Sequence, residues 1–316
     1  MKLAVWDPGE VFRRWRDALV QHARELGLTV EVFDAVTAPD AQADFALVWK
    51  PPADWLAAQT GLRAVFNLGA GVDAVLPLML RHAPGVPLVR LEDAGMGRQM
   101  ADYVAEAVLR AYRRMDDYAA LQARASWETL TLPARGGFQV GFLGLGQMGL
   151  AAARRVASMD FPVHACTRTG VARPGADAAW PLVSLERIDE FLAASRVLVV
   201  LLPRTRDTDG LLDFRHLRQL PAGAHIVSAG RGAVLVESDL IELLDEGHLA
   251  SATLDVFARE PLPPTDPLWR HPRVRVTPHV AAQTLVGPSA AQVMRGIAAF
   301  ERGEAPTGLV DVARGY

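Results

Sequence analysis

The stretch that most restricts the fold is Phe138–Gly149, FQVGFLGLGQMG. Its first half, Phe138 to Leu143, is short and apolar and suits a buried strand of a parallel sheet. Its second half, Gly144–Leu145–Gly146–Gln147–Met148–Gly149, spaces three glycines as G-x-G-x-x-G, and Leu150 to Ser158 (LAAARRVAS) then favours helix. In a strand–turn–helix unit each glycine has its own task. Gly144 allows the tight turn, Gly146 admits a pyrophosphate against the backbone, and Gly149 lets helix and strand pack closely. The helix start presents unpaired N–H groups and positive dipole to the phosphates. A glycine turn that binds nothing would share the spacing, but the flanking strand and helix favour a dinucleotide.

The motif opens near mid-chain, so the residues before it need their own account. At 316 residues and 50% hydrophobic content there is enough apolar material for one large or two medium domains. A net charge of −3 gives no electrostatic footprint for nucleic acid or an anionic membrane. The sole cysteine, Cys166, excludes an intrachain disulfide and fits a reducing compartment. Lys2 to Trp6 run directly into Asp7, unlike a signal peptide. No apolar run approaches the ~20 residues that span a bilayer. The expectation is a cytoplasmic protein with neither nucleic-acid nor membrane partners.

Leu3–Trp6, Thr29–Phe33, Phe45–Trp49, Arg63–Asn67 and Leu88–Arg90 read as strands, and Val11–Leu26 as an amphipathic helix closed by Gly27. Gly95 and Gly97 punctuate a hinge. A long helix, Gln99 to about Ala125, follows with Val104, Val108, Ala111 and Met115 on one stripe. Beyond Phe138, strands are expected at Val163–Thr167, Val197–Leu202, His225–Ser228, Ala252–Val256 and Val274–Thr277. Helices such as Ser184–Ala194 and Glu237–Glu246 lie between them, and a last helix, Ser289–Glu301, returns to the first domain. The alternation predicts an α/β fold of two doubly wound parallel-sheet domains. Residues 99–284 form the dinucleotide-binding domain. Residues 1–98 and 285–316 form the smaller one.

Gly144, Thr167, Pro203, Arg231, Asp255 and His279 each follow an expected strand. In an open parallel sheet the ligand crevice lies outside the carboxyl ends of the strands, so these residues converge on one site. Where an acidic residue would bind the ribose hydroxyls of NAD, the chain reads Thr167–Arg168–Thr169. Arg168 suits a 2′-phosphate, so NADPH is preferred, with NADH use possible if Arg168 is only a solvated surface group. Arg231, within Ser228–Ala229–Gly230–Arg231–Gly232, serves either to clamp a carboxylate or as a turn and capping residue; its context alone leaves both open. His279 is one of 8 histidines and Glu260 sits in a proline-rich loop. Singly each is an ordinary turn residue. Paired, the carboxylate would orient the imidazole and raise its pKa above about 6.5, making a proton donor. The histidine and cysteine spacing offers no metal set, and there is neither a G-x-S-x-G elbow nor a G-x-x-x-x-G-K-[ST] loop.

With these residues in view, the chain resembles the D-2-hydroxyacid dehydrogenase family over essentially its whole length, and most of all its glyoxylate/hydroxypyruvate reductase A branch. The likeness rests on Gly69–Ala70–Gly71–Val72–Asp73, the GLGQMG turn, Leu202–Pro203, Gly230–Arg231–Gly232, Leu254–Asp255–Val256–Phe257, and Glu260–Pro261–Leu262–Pro263. It extends to Pro267–Leu268–Trp269, His271–Pro272–Arg273–Val274, Thr277–Pro278–His279–Val280–Ala281–Ala282 and the tail Asp311–Tyr316. The resemblance implies a Rossmann nucleotide domain beside a flavodoxin-like substrate domain. It implies hydride transfer from the nicotinamide to the carbonyl carbon of a small 2-keto acid, glyoxylate or hydroxypyruvate. Arg231 would bind the carboxylate and polarise the keto oxygen, His279 would protonate that oxygen, and Glu260 would pair with His279. Gly144, Gly146, Gln147, Met148, Gly149, Thr167, Arg168, Thr169, Leu202, Pro203, Ala229 and Asp255 would hold the cofactor, Asp255 at the nicotinamide amide. Backbone N–H groups of Ala70, Gly71 and Val72 would hold the carboxylate, and Trp49 and Trp269 would wall the pocket.

The resemblance also implies a homodimer built on the long helix and the segment after it. There Trp127 either reaches the neighbouring subunit's pocket or stays in the dimer core. Ser228 and Gly230 depart from the asparagine and alanine common in the family. Two alternatives stand beside the reductase: an NAD-linked dehydrogenase of a larger 2-hydroxy acid, and a nucleotide-sensing corepressor. Formate oxidation is disfavoured by the Glu260–His279 pair, and the corepressor by the lack of partner-binding extensions.

Overall fold

Two all-parallel sheets organise the chain, one in each of two units, Met1–Met96 with Thr284–Tyr316, and Gly97–Gln283. The computed structural model describes residues 1–9, 12–172 and 180–315. Val11, at the start of the first expected helix, and Tyr316, at the end of the tail, lie outside them.

In the first unit the apolar runs become β1 (Lys2–Trp6), β2 (Glu31–Asp34), β3 (Phe45–Val48), β4 (Ala64–Asn67) and β5 (Leu88–Arg90). Between them lie α1 (Phe12–Glu25), α2 (Ala53–Ala58) and α3 (Leu76–His82). Every residue of β3 and β4 is buried, as strands covered on both faces require. Helix α1 buries Trp15, Leu19 and Ala23, one residue per turn on one stripe. It packs against the C-terminal helix, Val286–Glu301. That helix comes close to the sheet at Gly296, where an added Cβ would stand 2.6 Å from Phe66 Cε1. It starts three residues ahead of the expected Ser289, because Pro288 sits in its first turn, where a missing N–H costs nothing. The strand order β2-β1-β3-β4-β5 reverses between β1 and β3, which opens a crevice at their carboxyl ends.

The second unit begins at Gly97, within α4 (Met96–Tyr112), and continues with α5 (Met115–Ala123). One continuous helix was expected here. It breaks at Arg114, which takes φ +56° and pairs through Nε with Asp117 at 2.7 Å. The sheet follows as β6 (Val140–Leu143), β7 (Val163–Thr167), β8 (Leu182–Ser184), β9 (Val197–Val200), β10 (Ala224–Ser228), β11 (Leu249–Leu254) and β12 (Val274–Val276). Helices α6 (Gln147–Ala157), α7 (Ile188–Ala193), α8 (Phe214–Leu217) and α9 (Glu237–Asp245) connect them. The order β12-β11-β10-β9-β6-β7-β8 is the doubly wound arrangement with its reversal between β6 and β9. β8 was not expected, and Ser184, read as the start of a helix, closes that strand by pairing with Thr167. Alternate residues of the strands feed two apolar layers. Val140, Phe142, Ala165 and Val199 face α4 and α6, whereas Leu143, Leu198, Val200 and Ile226 face α7 and α9.

Candidate active site

The turn after β6 uses its three glycines differently. Gly144 has φ +101°, and a Cβ there would meet Leu201 O at 2.8 Å. A Cβ on Gly149 would stand 2.2 Å from Gly144 O, so only glycine lets α6 close on the turn. Gly146 faces open space, with nothing within 4 Å of an added Cβ. It caps α6 without a side-chain acceptor, which leaves the N–H groups beside Gln147 and Met148 to an outside anion. At the end of β7, Thr167 Oγ1 donates to Val171 O at 3.2 Å, and Thr169 bridges to Ser184. Arg168 between them is exposed and forms no ion pair among the described residues.

The neighbouring parallel strands β10, β11 and β12 bring Arg231, Glu260 and His279 to the same end of the sheet. Past β10, Gly230 and Gly232 bracket Arg231. An added Cβ would meet Leu202 O at 2.7 Å from Gly230, and the Phe257 carbonyl carbon at 1.9 Å from Gly232. The half-buried Arg231 is therefore wedged between the exit of β9 and the exit of β11, and its Nη1 donates to Gly230 O at 2.8 Å. Ser228, just before, is fully buried with its hydroxyl unpartnered among the described residues. Phe257 N–H in turn donates to Glu260 Oε1 at 3.0 Å, and Glu260 Oε2 lies 2.7 Å from His279 Nδ1. A carboxylate accepts only, so Nδ1 carries the proton and Nε2 is the ring nitrogen left to exchange one.

His279 takes φ +56°, the left-handed region, in a turn held by Asp255. His279 N–H donates to Asp255 O at 2.8 Å and to Thr277 O at 3.1 Å. The Asp255 side chain, 1% exposed, accepts from Val280 N–H at 2.8 Å, from Ala281 N–H at 2.9 Å and from Thr277 Oγ1–H at 2.6 Å. Three of its roughly four lone-pair sites are thus filled by its own chain. The structure makes Asp255 first the anchor of the histidine turn and leaves one acceptor site on Oδ2. Leu202, Pro203 and Ala229 line the ends of β9 and β10 beside it.

In the first unit, Trp49 and Gly69–Val72 follow the adjacent strands β3 and β4. Trp49 packs on Gly69, whose added Cβ would lie 3.2 Å from Trp49 Cζ3. Asn67 Nδ2 donates to Gly69 O at 3.2 Å and Gly71 O at 2.8 Å, turning the loop carbonyls onto itself. Among the described residues, no acceptor takes the N–H groups of Ala70, Gly71 or Val72. Trp269, in the second unit, is half exposed and its Nε1 is taken by Pro263 O at 3.0 Å. Among the described residues no group of three or more His, Cys, Asp or Glu is placed to hold a metal ion.

Sequence reading missed Asn67, Tyr103 and Thr277 as supports of the site. Asn67 carries a local signal, an Asx residue ahead of a glycine loop. Tyr103 carries none, because it looks like any aromatic on the buried stripe of α4.

Comparison with known proteins places the chain among relatives of one family. The family model described as D-isomer specific 2-hydroxyacid dehydrogenase, NAD binding domain, matches residues 105–281. A glyoxylate/hydroxypyruvate reductase A of Yersinia enterocolitica is 45% identical over 278 residues, covering 87% of this chain and 88% of its own. Among solved structures, a D-isomer specific 2-hydroxyacid dehydrogenase from Xanthobacter autotrophicus Py2, in complex with NADPH and MES, superposes with a TM-score of 0.91 at 37% identity, over 100% of this chain and 99% of that one. An NADPH-dependent glyoxylate/hydroxypyruvate reductase from Sinorhizobium meliloti, in complex with NADP and sulfate, gives 0.90 at 34% identity over 100% of both chains.

Proposed function

This chain belongs to the D-isomer specific 2-hydroxyacid dehydrogenase family, and from that premise we propose that it is an NADPH-preferring reductase of small 2-keto acids, converting glyoxylate to glycolate and hydroxypyruvate to D-glycerate. The observation that carries the chemistry is the 2.7 Å contact between Glu260 and His279 Nδ1, which points Nε2 away from its partner as the proton donor.

The residues fit the cofactor. Gly146 leaves open space at an uncapped helix start, where the pyrophosphate of a dinucleotide would be held, and the exposed Arg168 would take the 2′-phosphate. Leu202, Pro203, Ala229 and the remaining lone pair of Asp255 would line the nicotinamide, which when bound supplies the hydride. The side chain of Arg231 would hold the substrate carboxylate and polarise the keto oxygen, while His279 Nε2 gives that oxygen its proton. Within the first unit, the three unclaimed N–H groups of Ala70, Gly71 and Val72 would suit a carboxylate, with Trp49 as an apolar wall. NADH would be the poorer donor, because it lacks the phosphate that Arg168 recognises.

The assembly we favour is a homodimer in the cytoplasm. Trp127 is 100% exposed in the stretch after α5, and Met115 at the start of that helix and Leu132 beyond the stretch are exposed as well, apolar side chains that a second copy of the chain would cover. Burial pushes the Cys166 thiol up to about 12, so it stays protonated and inert. Sedimentation velocity tests the assembly, and a single monomeric boundary at micromolar concentration would refute it.

Nicotinamide absorbance over time tests the activity, with NADPH or NADH against glyoxylate, hydroxypyruvate, pyruvate and 2-ketobutyrate. NADPH oxidation should be fastest with the first two. His279→Gln should lower kcat on the order of 10²–10⁴-fold while cofactor still binds. Cofactor binding without turnover of any keto acid would defeat the proposal.

A further inference from the structure

We propose that Tyr103, on α4, is a positioning residue for the proton donor and acts through Thr277 and Asp255. The inference rests on the reading of His279 as the acid, and it adds a residue far along the chain from every motif. Tyr103 OH lies 2.7 Å from Thr277 Oγ1, which lies 2.6 Å from Asp255 Oδ1. Proton counting sets the direction. Thr277 has a single hydroxyl proton and gives it to Asp255, which leaves its oxygen only to accept, so Tyr103 must be the donor. Burial pushes the Tyr103 phenol up to about 12, which keeps that proton in place at any working pH.

The chain of bonds ends on the backbone of the histidine. Asp255 accepts from the N–H groups of Val280 and Ala281, the two residues after His279, and its carbonyl accepts from His279 N–H itself. His279 occupies φ +56°, a conformation that a non-glycine residue keeps only when its surroundings over-determine it. Asp255 supplies that determination, Thr277 orients Asp255, and Tyr103 fixes Thr277 from a helix rigidly packed in the core through Met100, Val104 and Val108. Without the phenol, Thr277 can rotate its proton elsewhere, the carboxylate loosens, and the imidazole samples poses that do not reach the keto oxygen. A small misplacement of an acid costs rate without touching cofactor affinity.

The test is steady-state kinetics of the full-length enzyme with NADPH and glyoxylate, together with NADPH affinity by fluorescence. Tyr103→Phe should lower kcat about three- to tenfold, the range of one lost hydrogen bond, with KM and NADPH affinity within about twofold. Thr277→Val should cost at least as much, and Thr277→Ser, which keeps the hydroxyl, should restore kcat. The double variant Tyr103→Phe/Thr277→Val should be no slower than Thr277→Val alone, since both cut one chain. An unchanged kcat in Tyr103→Phe, additive losses in the double variant, or Thr277→Ser as slow as Thr277→Val would overturn the proposal. The serine–valine pair keeps the question answerable if Tyr103→Phe folds poorly. His279→Gln is the separate control: full activity in that variant would remove the acid assignment itself.

Discussion

On the proposed reading, Arg168 would set which nicotinamide cofactor this backbone prefers, and its surroundings explain how an exposed side chain could do so. The residues on both sides are pinned. Thr167 donates to Val171 O, Thr169 bridges to Ser184, and an added Cβ on Gly170 would stand 3.0 Å from Ser184 N. The Arg168 backbone is thereby fixed at the end of β7, while its side chain is left exposed. A charge-assisted contact to phosphate contributes about 1.5–3 kcal/mol, which is roughly 10–100-fold in affinity. Arg168→Ala should therefore lower kcat/KM for NADPH by that factor and change kcat/KM for NADH less than about twofold. Equal losses with both cofactors would show that Arg168 only supports the β7–β8 turn.

The β6–α6 unit makes a comparable prediction at the level of an element. Its helix lies against its own turn at Gly149, where a methyl group would sit 2.2 Å from a carbonyl oxygen. Gly149→Ala must lift α6 off the turn and move the N–H groups at its start that would hold the phosphates. NADPH dissociation constants should rise at least about tenfold with the far-UV spectrum retained, and wild-type affinity would refute the assigned role. This unit was legible in the sequence because each glycine answers a local backbone demand. So was the placement of Arg231 and His279 after strand ends, which survives any error in the helices. The break in the long helix was not legible. Arg113 and Arg114 are good helix formers, and the break depends on Arg114 reaching Asp117 and, 17 residues on, Thr131 O. β8 has three residues and no periodicity, and it exists because β7 offers it an edge. Tyr103 stayed invisible because its partner is 174 positions away.

Over the whole molecule, buried titratable groups set the pH range of the fold. His164 in β7 lies with its ring 4.8 Å from that of Phe191 and Nε2 2.8 Å from Ser195 Oγ, and burial pushes it down to about 4. Burial, with Arg196 nearby, likewise pushes His225 in β10 down to about 4, against a smaller opposing pull from Asp116 and Asp117. Unfolded histidines titrate near 6.5, so between about 6.5 and 4 the unfolded chain binds protons that the native one refuses. Each histidine then removes about 1.4 kcal/mol of stability per pH unit as pH falls through that window. Glu237 acts with the opposite sign, because burial pushes its carboxyl up and acid relieves it. One carboxyl is outweighed by two imidazoles. On the alkaline side Cys166 and Tyr103, both held up at about 12, lose their contribution as pH rises above the unfolded values near 8.5 and 10. Stability should therefore be greatest between about pH 7 and 8.5 and fall by roughly 1.4–2.8 kcal/mol per pH unit between 6 and 5. Urea midpoints at pH 7.5, 6 and 5 measure this, and a midpoint that stays level to pH 5 would mean that water reaches both imidazoles in the folded protein.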